Sequence, residues 1–264
     1  MAWLENMHEQ WLLWRPDVVL LVFLLALTFV LFEVRIVRQV AADPQQEKRR
    51  RWSTPARYVA FFVGIVLLYI AYGPLAFYAQ TRFFTAYIAQ MLIMTMALPW
   101  LLVFSLPPSA FSPWLTISWV ARTLQFLVQP AFALVTFNAL VSVTLLPPIL
   151  PLMLTVNWVH MIAQFFIFLA AICFWWPLAA PLSKVSALTL GQKLFYITYS
   201  ANFMMPIIFF LFFSTSPWFP FYHAIDALAD QQLGSVVMLV TMYVVYGTIA
   251  LRLYFHQDES IWYV

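Results

Sequence analysis

The polar cluster Asp230-Gln231-Gln232-Leu233-Gly234 lies directly before the last apolar run of an otherwise strongly hydrophobic chain, and Asp226 and His223 precede it. Ionisable groups at the edge of a hydrocarbon layer cost free energy, so they are candidates for function. The paired carboxylates can do acid–base chemistry or bind a hard cation. They can equally cap the N-terminus of the last helix, which we favour for Asp230, while Gly234 can allow close helix packing.

A second set of candidate ligands combines histidine, methionine and glutamine within apolar runs. Thioether sulfur and imidazole suit Cu(I), and residues three or four apart share a helix face. The candidate copper ligands are His160, Met91, Met94, Met161 and Gln164. Methionine also fills gaps in apolar cores, and on spacing alone that structural role is the commoner one.

Composition fixes the broad class of the protein. Of its 264 residues, 64% are hydrophobic and 9% are charged, whereas about a quarter of the residues in a soluble domain are charged. The chain is therefore an integral membrane protein in contact with the lipid bilayer. Its net charge of +3 does not indicate nucleic-acid binding, and the single cysteine, Cys173, excludes a disulfide framework.

The sequence holds no signature of a common enzyme class. It has no glycine-rich phosphate loop, no His-Glu-x-x-His zinc motif and no Gly-x-Ser-x-Gly nucleophile elbow. We therefore expect no catalytic residues and no enzymatic activity.

Apolar runs of about 20 residues predict helices that cross the hydrocarbon core. We predict an all-α, polytopic membrane protein with seven transmembrane helices in one domain over residues 1–264. The prolines Pro147, Pro148 and Pro151 interrupt the end of the fourth span. The predicted spans lie near 17–38, 58–78, 84–105, 130–150, 157–178, 194–214 and 233–254.

The basic residues predict the orientation of these spans. Eleven of the 13 Lys and Arg residues fall on one side of the predicted membrane, and only Arg15 and Arg82 fall on the other. The positive-inside rule then places the N-terminus outside and the C-terminus in the cytoplasm. This orientation puts His160 at the outer face, with a polar rim formed by His223, Asp226, Asp230, Gln231 and Gln232. No cleavable signal peptide is expected.

The segment 106–129 follows the third span and has a mixed pattern. Trp119, Leu124 and Phe126 alternate with polar residues that include Arg122 and Gln125. This pattern predicts a short interfacial helix on the cytoplasmic surface, with an irregular apolar loop as the alternative.

Two motifs identify a family resemblance. The run Ala229-Asp230-Gln231-Gln232-Leu233-Gly234 and the run Phe174-Trp175-Trp176-Pro177-Leu178 are similar to conserved stretches of the CtaG family. That family consists of bacterial seven-helix membrane proteins linked to the assembly of caa-type cytochrome c oxidase. The resemblance implies a multi-pass protein of the bacterial cell membrane, with oxidase subunits or a copper chaperone as partners.

This chain departs from the family at its histidines. Many members carry histidine pairs in spans 3 and 5, but Tyr87 and Met91 stand at the first pair. In span 5 only His160 is retained, and Gln164 replaces its partner. A four-histidine site therefore cannot form. Either a methionine-rich site around Met91 and His160 holds copper, or the site is lost and the protein acts through contacts alone.

Three functions fit the sequence. The first is a non-enzymatic assembly factor for a haem-copper (cytochrome c) oxidase that handles Cu(I) at the outer face. The second is a structural membrane protein stably bound to a respiratory or other membrane complex. The third is a small-solute or ion transporter that uses Asp226, Asp230 and Asn202, although inverted repeats typical of transporters are not visible.

Overall fold

The computed structural model describes residues 16–42, 55–105, 117–179, 188–222 and 225–255, and every regular element in these ranges is helical. This confirms the all-α prediction for the described chain. A π-helical segment, Ile93–Ala97, lies between the fourth and fifth helices. The helices are α1 (Pro16–Ala42), α2 (Pro55–Tyr72), α3 (Pro74–Thr81), α4 (Phe84–Leu92), α5 (Leu98–Ser105), α6 (Ser118–Leu127), α7 (Pro130–Thr144), α8 (Ile149–Thr155), α9 (Asn157–Ala179), α10 (Leu190–Phe212) and α11 (Ala227–Phe255).

The helices provide five or six candidate membrane spans. Five stretches are long and apolar enough to cross a hydrocarbon core, and a sixth arises if α6 and α7, which meet at 66°, form one bent span. Helix α1 has a shorter apolar stretch, Pro16–Leu31. By length and composition the protein is thus a multi-pass membrane protein, and the seventh predicted span stays a prediction. The five long stretches are Arg57–Thr81, Phe84–Ser105, Trp158–Leu178, Leu190–Phe212 and Ala227–Phe255.

Two helix ends differ from the predicted span boundaries for identifiable reasons. The fourth span was predicted to reach residue 150, but α7 ends at Thr144, and a turn containing Pro147 and Pro148 separates it from α8. Proline has no N–H to continue the helical hydrogen bonds. The last helix begins at Ala227 rather than near 233, so the polar cluster 230–234 lies within its first turns.

The core lies where α11 packs between α10 and α4, and where α9 packs against α7 and α5. Large aromatic side chains fill it: Phe137 stacks on Phe174 at 4.6 Å between ring centroids, and Trp100 meets Trp175 edge-on at 5.2 Å. Large apolar residues also cover the outer surface, as expected where helices face lipid.

The helix predicted within 106–129 is confirmed as α6, whereas residues 106–116 lie outside the described part of the chain. None of the residues in α6 is buried, and Trp119 and Phe126 are exposed. An exposed amphipathic helix that bends sharply into a candidate span suits a position at the membrane surface, which stays a prediction.

Candidate functional site

Asp230 joins the last helix to the third predicted span. Its carboxylate accepts hydrogen bonds from the backbone N–H groups of Phe84 at 2.5 Å and Thr85 at 3.3 Å. The Thr85 hydroxyl donates in return to the Asp230 carbonyl at 2.9 Å. Asp230 therefore caps α4, although we expected it to cap its own helix. That role belongs to Asp226, whose Oδ1 accepts from the N–H groups of Leu228 and Ala229 at 3.0 Å each.

Gln231 and Gln232 attach the loop between α10 and α11. The buried Gln231 side chain accepts from the Trp218 N–H at 2.7 Å and donates to the Leu211 carbonyl at 2.9 Å. Gln232 donates to the Ser214 carbonyl at 3.4 Å. These two members of the predicted polar rim thus hold backbone groups in place. His223, a third member, lies outside the described residues.

Gly234 allows the close approach of α11 and α4, as predicted. A Cβ atom built on it would lie 2.8 Å from Phe84 Cδ1 and 3.3 Å from Ile88 Cγ1. The Phe84 ring is itself stacked on Phe219, with 4.9 Å between centroids, so it has little room to move. Within the cluster 230–234, then, Asp230 caps a neighbouring helix, Gln231 and Gln232 hold a loop, and Gly234 permits close contact between helices.

Tyr222 completes a clamp between helices, and by the clamp we mean Asp230, Gln231, Gly234, Phe84 and Tyr222. Its hydroxyl donates to the Ala79 carbonyl near the end of α3 at 2.9 Å. Burial is the largest cause that raises the pKa of Tyr222 above its ordinary value, so the hydroxyl stays a neutral donor. The clamp is a structural joint rather than a reaction centre.

The five candidate copper ligands are not gathered at one place. Met91 belongs to the central core, whereas Met94 packs with Leu68 in a separate cluster beside α2. Met161 is 66% exposed on the outer surface of α9. The other two, His160 and Gln164, lie one turn apart on that same helix. Among the described residues, no group of three His, Cys, Asp or Glu side chains could hold a metal ion.

Five methionines instead surround a small cavity in the core. The cavity has a volume of about 10 Å³, which is close to the minimum that holds one water molecule. Met91 was a predicted ligand, and the other four methionines were not. The lining residues are Met91, Leu92, Thr95, Met96, Phe137, Val141, Met204, Met238 and Met242.

The π-helical segment brings Met96 to the same cavity as Met91. Residues five apart lie about 140° apart on an ordinary α-helix, which is why the sequence pattern did not join them. Here the Leu98 N–H donates to the Ile93 carbonyl five residues back, and this wider turn changes the faces that follow. Only the spacing of Met238 and Met242, one turn apart, signalled a shared methionine face.

Trp175 stabilises this irregular segment. Pro99 has no N–H for the Thr95 carbonyl four residues earlier, and Trp175 Nε1 donates to that carbonyl at 2.7 Å. Trp175 is fully buried. The Phe-Trp-Trp-Pro motif of α9 thus supports the backbone beside the methionine cavity.

A separate buried network lies among α7, α10 and α11. The Ser200 hydroxyl lies 3.1 Å from both the Asn138 side chain and the Tyr246 hydroxyl. Asn138 also donates to the Leu134 carbonyl at 2.8 Å. These groups satisfy each other. Asn202, the third residue of the transporter hypothesis, is exposed and donates to the Thr198 carbonyl of its own helix.

Comparison with known proteins returned one family. A family model described as cytochrome c oxidase caa3 assembly factor (Caa3_CtaG) matches residues 34–257. The match spans most of the chain and includes the cluster 230–234, the Phe-Trp-Trp-Pro motif and all five cavity methionines. No curated protein and no solved structure matches the chain.

Proposed function

The chain belongs to the cytochrome c oxidase caa3 assembly factor family, and on that premise we propose that it assists the assembly of a haem-copper oxidase in the bacterial cell membrane. The family match confirms the resemblance predicted from the two motifs. The family is an assembly-factor family rather than a catalytic one, which supports a non-enzymatic role. The observation that carries the proposal is the family match across the segments that build the clamp.

The proposal includes seven spans with the N-terminus outside. In this arrangement α1 crosses the membrane, and α6 lies on the cytoplasmic surface before α7 enters it. The hydrogen bond from Arg57 Nη2 to the Ser105 carbonyl, at 2.6 Å, joins the start of α2 to the end of α5. That end of the bundle also carries Arg252 of α11, and the clamp lies at the opposite end of the bundle. Such a charge distribution supports a cytoplasmic position for the basic end.

Copper enters the proposal as cargo. A carrier must release the ion that it binds, and thioether ligands suit Cu(I) without holding it as strongly as thiolates do. The buried methionines of the cavity supply this soft chemistry, whereas in the predicted set Met91 and Met94 belong to separate buried clusters and Met161 is exposed. Cu(I) handling is thus best supported inside the helical bundle.

Deletion of the gene tests the assembly function. We expect membranes of the deletion strain to contain less active haem-copper oxidase, with normal levels of the oxidase transcripts, and the full chain to restore it. Excess copper in the medium should restore part of the activity if copper supply is the limiting step. An unchanged level of active oxidase would contradict the proposal.

Co-purification separates this function from a structural one. An assembly factor should be absent or substoichiometric in the finished oxidase. If gentle detergent extraction recovered the chain in a fixed equimolar ratio with the mature enzyme, a permanent structural subunit would be the better conclusion.

A further inference from the structure

We propose that the five-methionine cavity binds one Cu(I) ion through thioether sulfurs. The inference rests on the proposed function for its cargo, but the site is built from this chain's own residues. It would use Met91 and Met96 from the third predicted span, Met204 from α10, and Met238 and Met242 from α11.

The convergence of these methionines is the first argument. They are five of the eleven in the chain, they come from three predicted spans, and all are at most 6% exposed. Methionine also fills gaps in apolar cores, but gap filling does not require that three separate spans each direct methionine to the same void. Five thioether side chains around one small cavity form a set of soft donors suited to Cu(I).

The π-helical segment is the second, independent argument. Such segments are rare and occur frequently at functional sites. This one interrupts the span between Met91 and Met96, and both side chains line the cavity. Two features accommodate the interruption, namely Pro99 and the hydrogen bond from Trp175 to the Thr95 carbonyl. The local irregularity therefore adds one sulfur to the cavity.

The lining selects against hard cations. Thr95 is the polar residue of the lining, and its hydroxyl already donates to the Met91 carbonyl at 2.7 Å. Sodium, magnesium and calcium need oxygen ligands, which such a surface does not offer. Soft thioethers favour Cu(I), and without a carboxylate in the lining the ion's charge is not neutralised. Binding should consequently be reversible, as a carrier requires.

The cavity lies deeper in the helical bundle than the clamp. Met91 follows Phe84 by seven residues and Met238 follows Asp230 by eight, which corresponds to about 10–12 Å along the helices. Tyr87 and Ile88, both buried, occupy the intervening turns of α4. An ion that enters from the outer face therefore passes the clamp before it reaches the cavity.

Cu(I) titration of the purified full chain tests the site. The protein is kept reduced in detergent, and a chromophoric Cu(I) chelator competes for the ion. We expect one Cu(I) per chain, with sulfur as the only element directly bonded to the ion in X-ray absorption. Substituting Met91→Leu, Met204→Leu and Met242→Leu together should weaken binding by more than about tenfold, because leucine keeps the volume but removes the sulfur.

A matched control changes three methionines outside the cavity. Met94→Leu, Met153→Leu and Met161→Leu together should leave Cu(I) affinity unchanged, since none of these residues lines the cavity. If the triple cavity variant does not fold, the three single variants replace it, and each should weaken binding. A chain that binds no Cu(I), or equal binding by the cavity and control variants, would overturn the inference. So would imidazole scattering that disappears with His160→Ala.

Two outcomes separate this inference from the proposed function. If deletion abolishes oxidase assembly but the purified chain binds no Cu(I), the cavity site is wrong and the assembly function stands. If the cavity binds Cu(I) but deletion leaves the oxidase unchanged, the site stands and the assembly function is wrong.

Discussion

The carboxylate of Asp230 accepts the backbone N–H of Phe84 at 2.5 Å, across 146 residues of sequence. An aspartate of the last helix therefore caps the first turn of α4, while Gly234 one turn later lets the same two helices touch. Free N–H groups at a helix start need partners, and near the hydrocarbon layer water is a poor substitute. This contact makes the clamp a joint between segments that are distant in sequence.

Removing the cap should loosen the start of α4. We expect Asp230→Ala to lower the free energy of unfolding by about 1–2 kcal/mol and to speed amide hydrogen exchange at Phe84 and Thr85. Asp230→Asn keeps an acceptor and should cost less. The control Asp226→Ala should instead speed exchange at Leu228 and Ala229, because Asp226 caps its own helix. Wild-type exchange at Phe84 in Asp230→Ala would contradict this assignment.

Adding one methyl group at Gly234 should separate α11 from α4. Its Cβ would lie 2.8 Å from the Phe84 ring, so we expect Gly234→Ala to cost about 1–3 kcal/mol through overpacking. The same change at Gly247, on the same helix, meets nothing within 4 Å and should be tolerated. Thermal unfolding in detergent compares the two variants. Phe84→Leu should partly rescue Gly234→Ala, and equal effects at the two glycines would argue against close packing.

Apolar run length predicted the helical, multi-pass architecture because a chain in lipid must satisfy its backbone internally. Helix partners were harder to predict. The position of Asp230 at the start of the last apolar run favoured a cap on its own helix, but its side chain caps Phe84, far away in sequence. Only tertiary packing determines such a pairing.

The methionine cavity shows a second limit of prediction from sequence patterns. Met91 and Met94, three residues apart, were expected to share a face, yet they belong to separate clusters. Their span is the most buried of the five long candidates, so it has neighbours on several sides. Met96 was missed because the π-helical segment overrides the 3.6-residue period on which the prediction relied.

The orientation can be tested with terminal fusions. We expect a C-terminal green fluorescent protein to be fluorescent and a C-terminal alkaline phosphatase to be inactive, because the distribution of basic residues predicts that this end lies in the cytoplasm. Reporters at the N-terminus, given a suitable export signal, should give the opposite result. Phosphatase activity at the C-terminus would mean an even number of spans or the reverse orientation.

The indole of Trp175 should be coupled energetically to Pro99. Trp175→Phe leaves the buried Thr95 carbonyl without its 2.7 Å donor, and we expect it to cost about 1–3 kcal/mol. Pro99→Ala supplies a backbone N–H in the turn after Thr95, so the double variant should lose less than the sum of the single losses. A double-mutant cycle of unfolding free energies measures this coupling.

An exposed tryptophan is the control for that cycle. Trp158 is 64% exposed, so Trp158→Phe should change stability little and show no coupling to Pro99→Ala. The cycle also tests the proposed copper site, because we expect a relaxed π-helical segment to turn Met96 away from Met91. We therefore expect Trp175→Phe to weaken Cu(I) binding in the folded protein, although its side chain does not line the cavity. Unchanged affinity, together with additive stabilities, would show that the indole does not hold this segment.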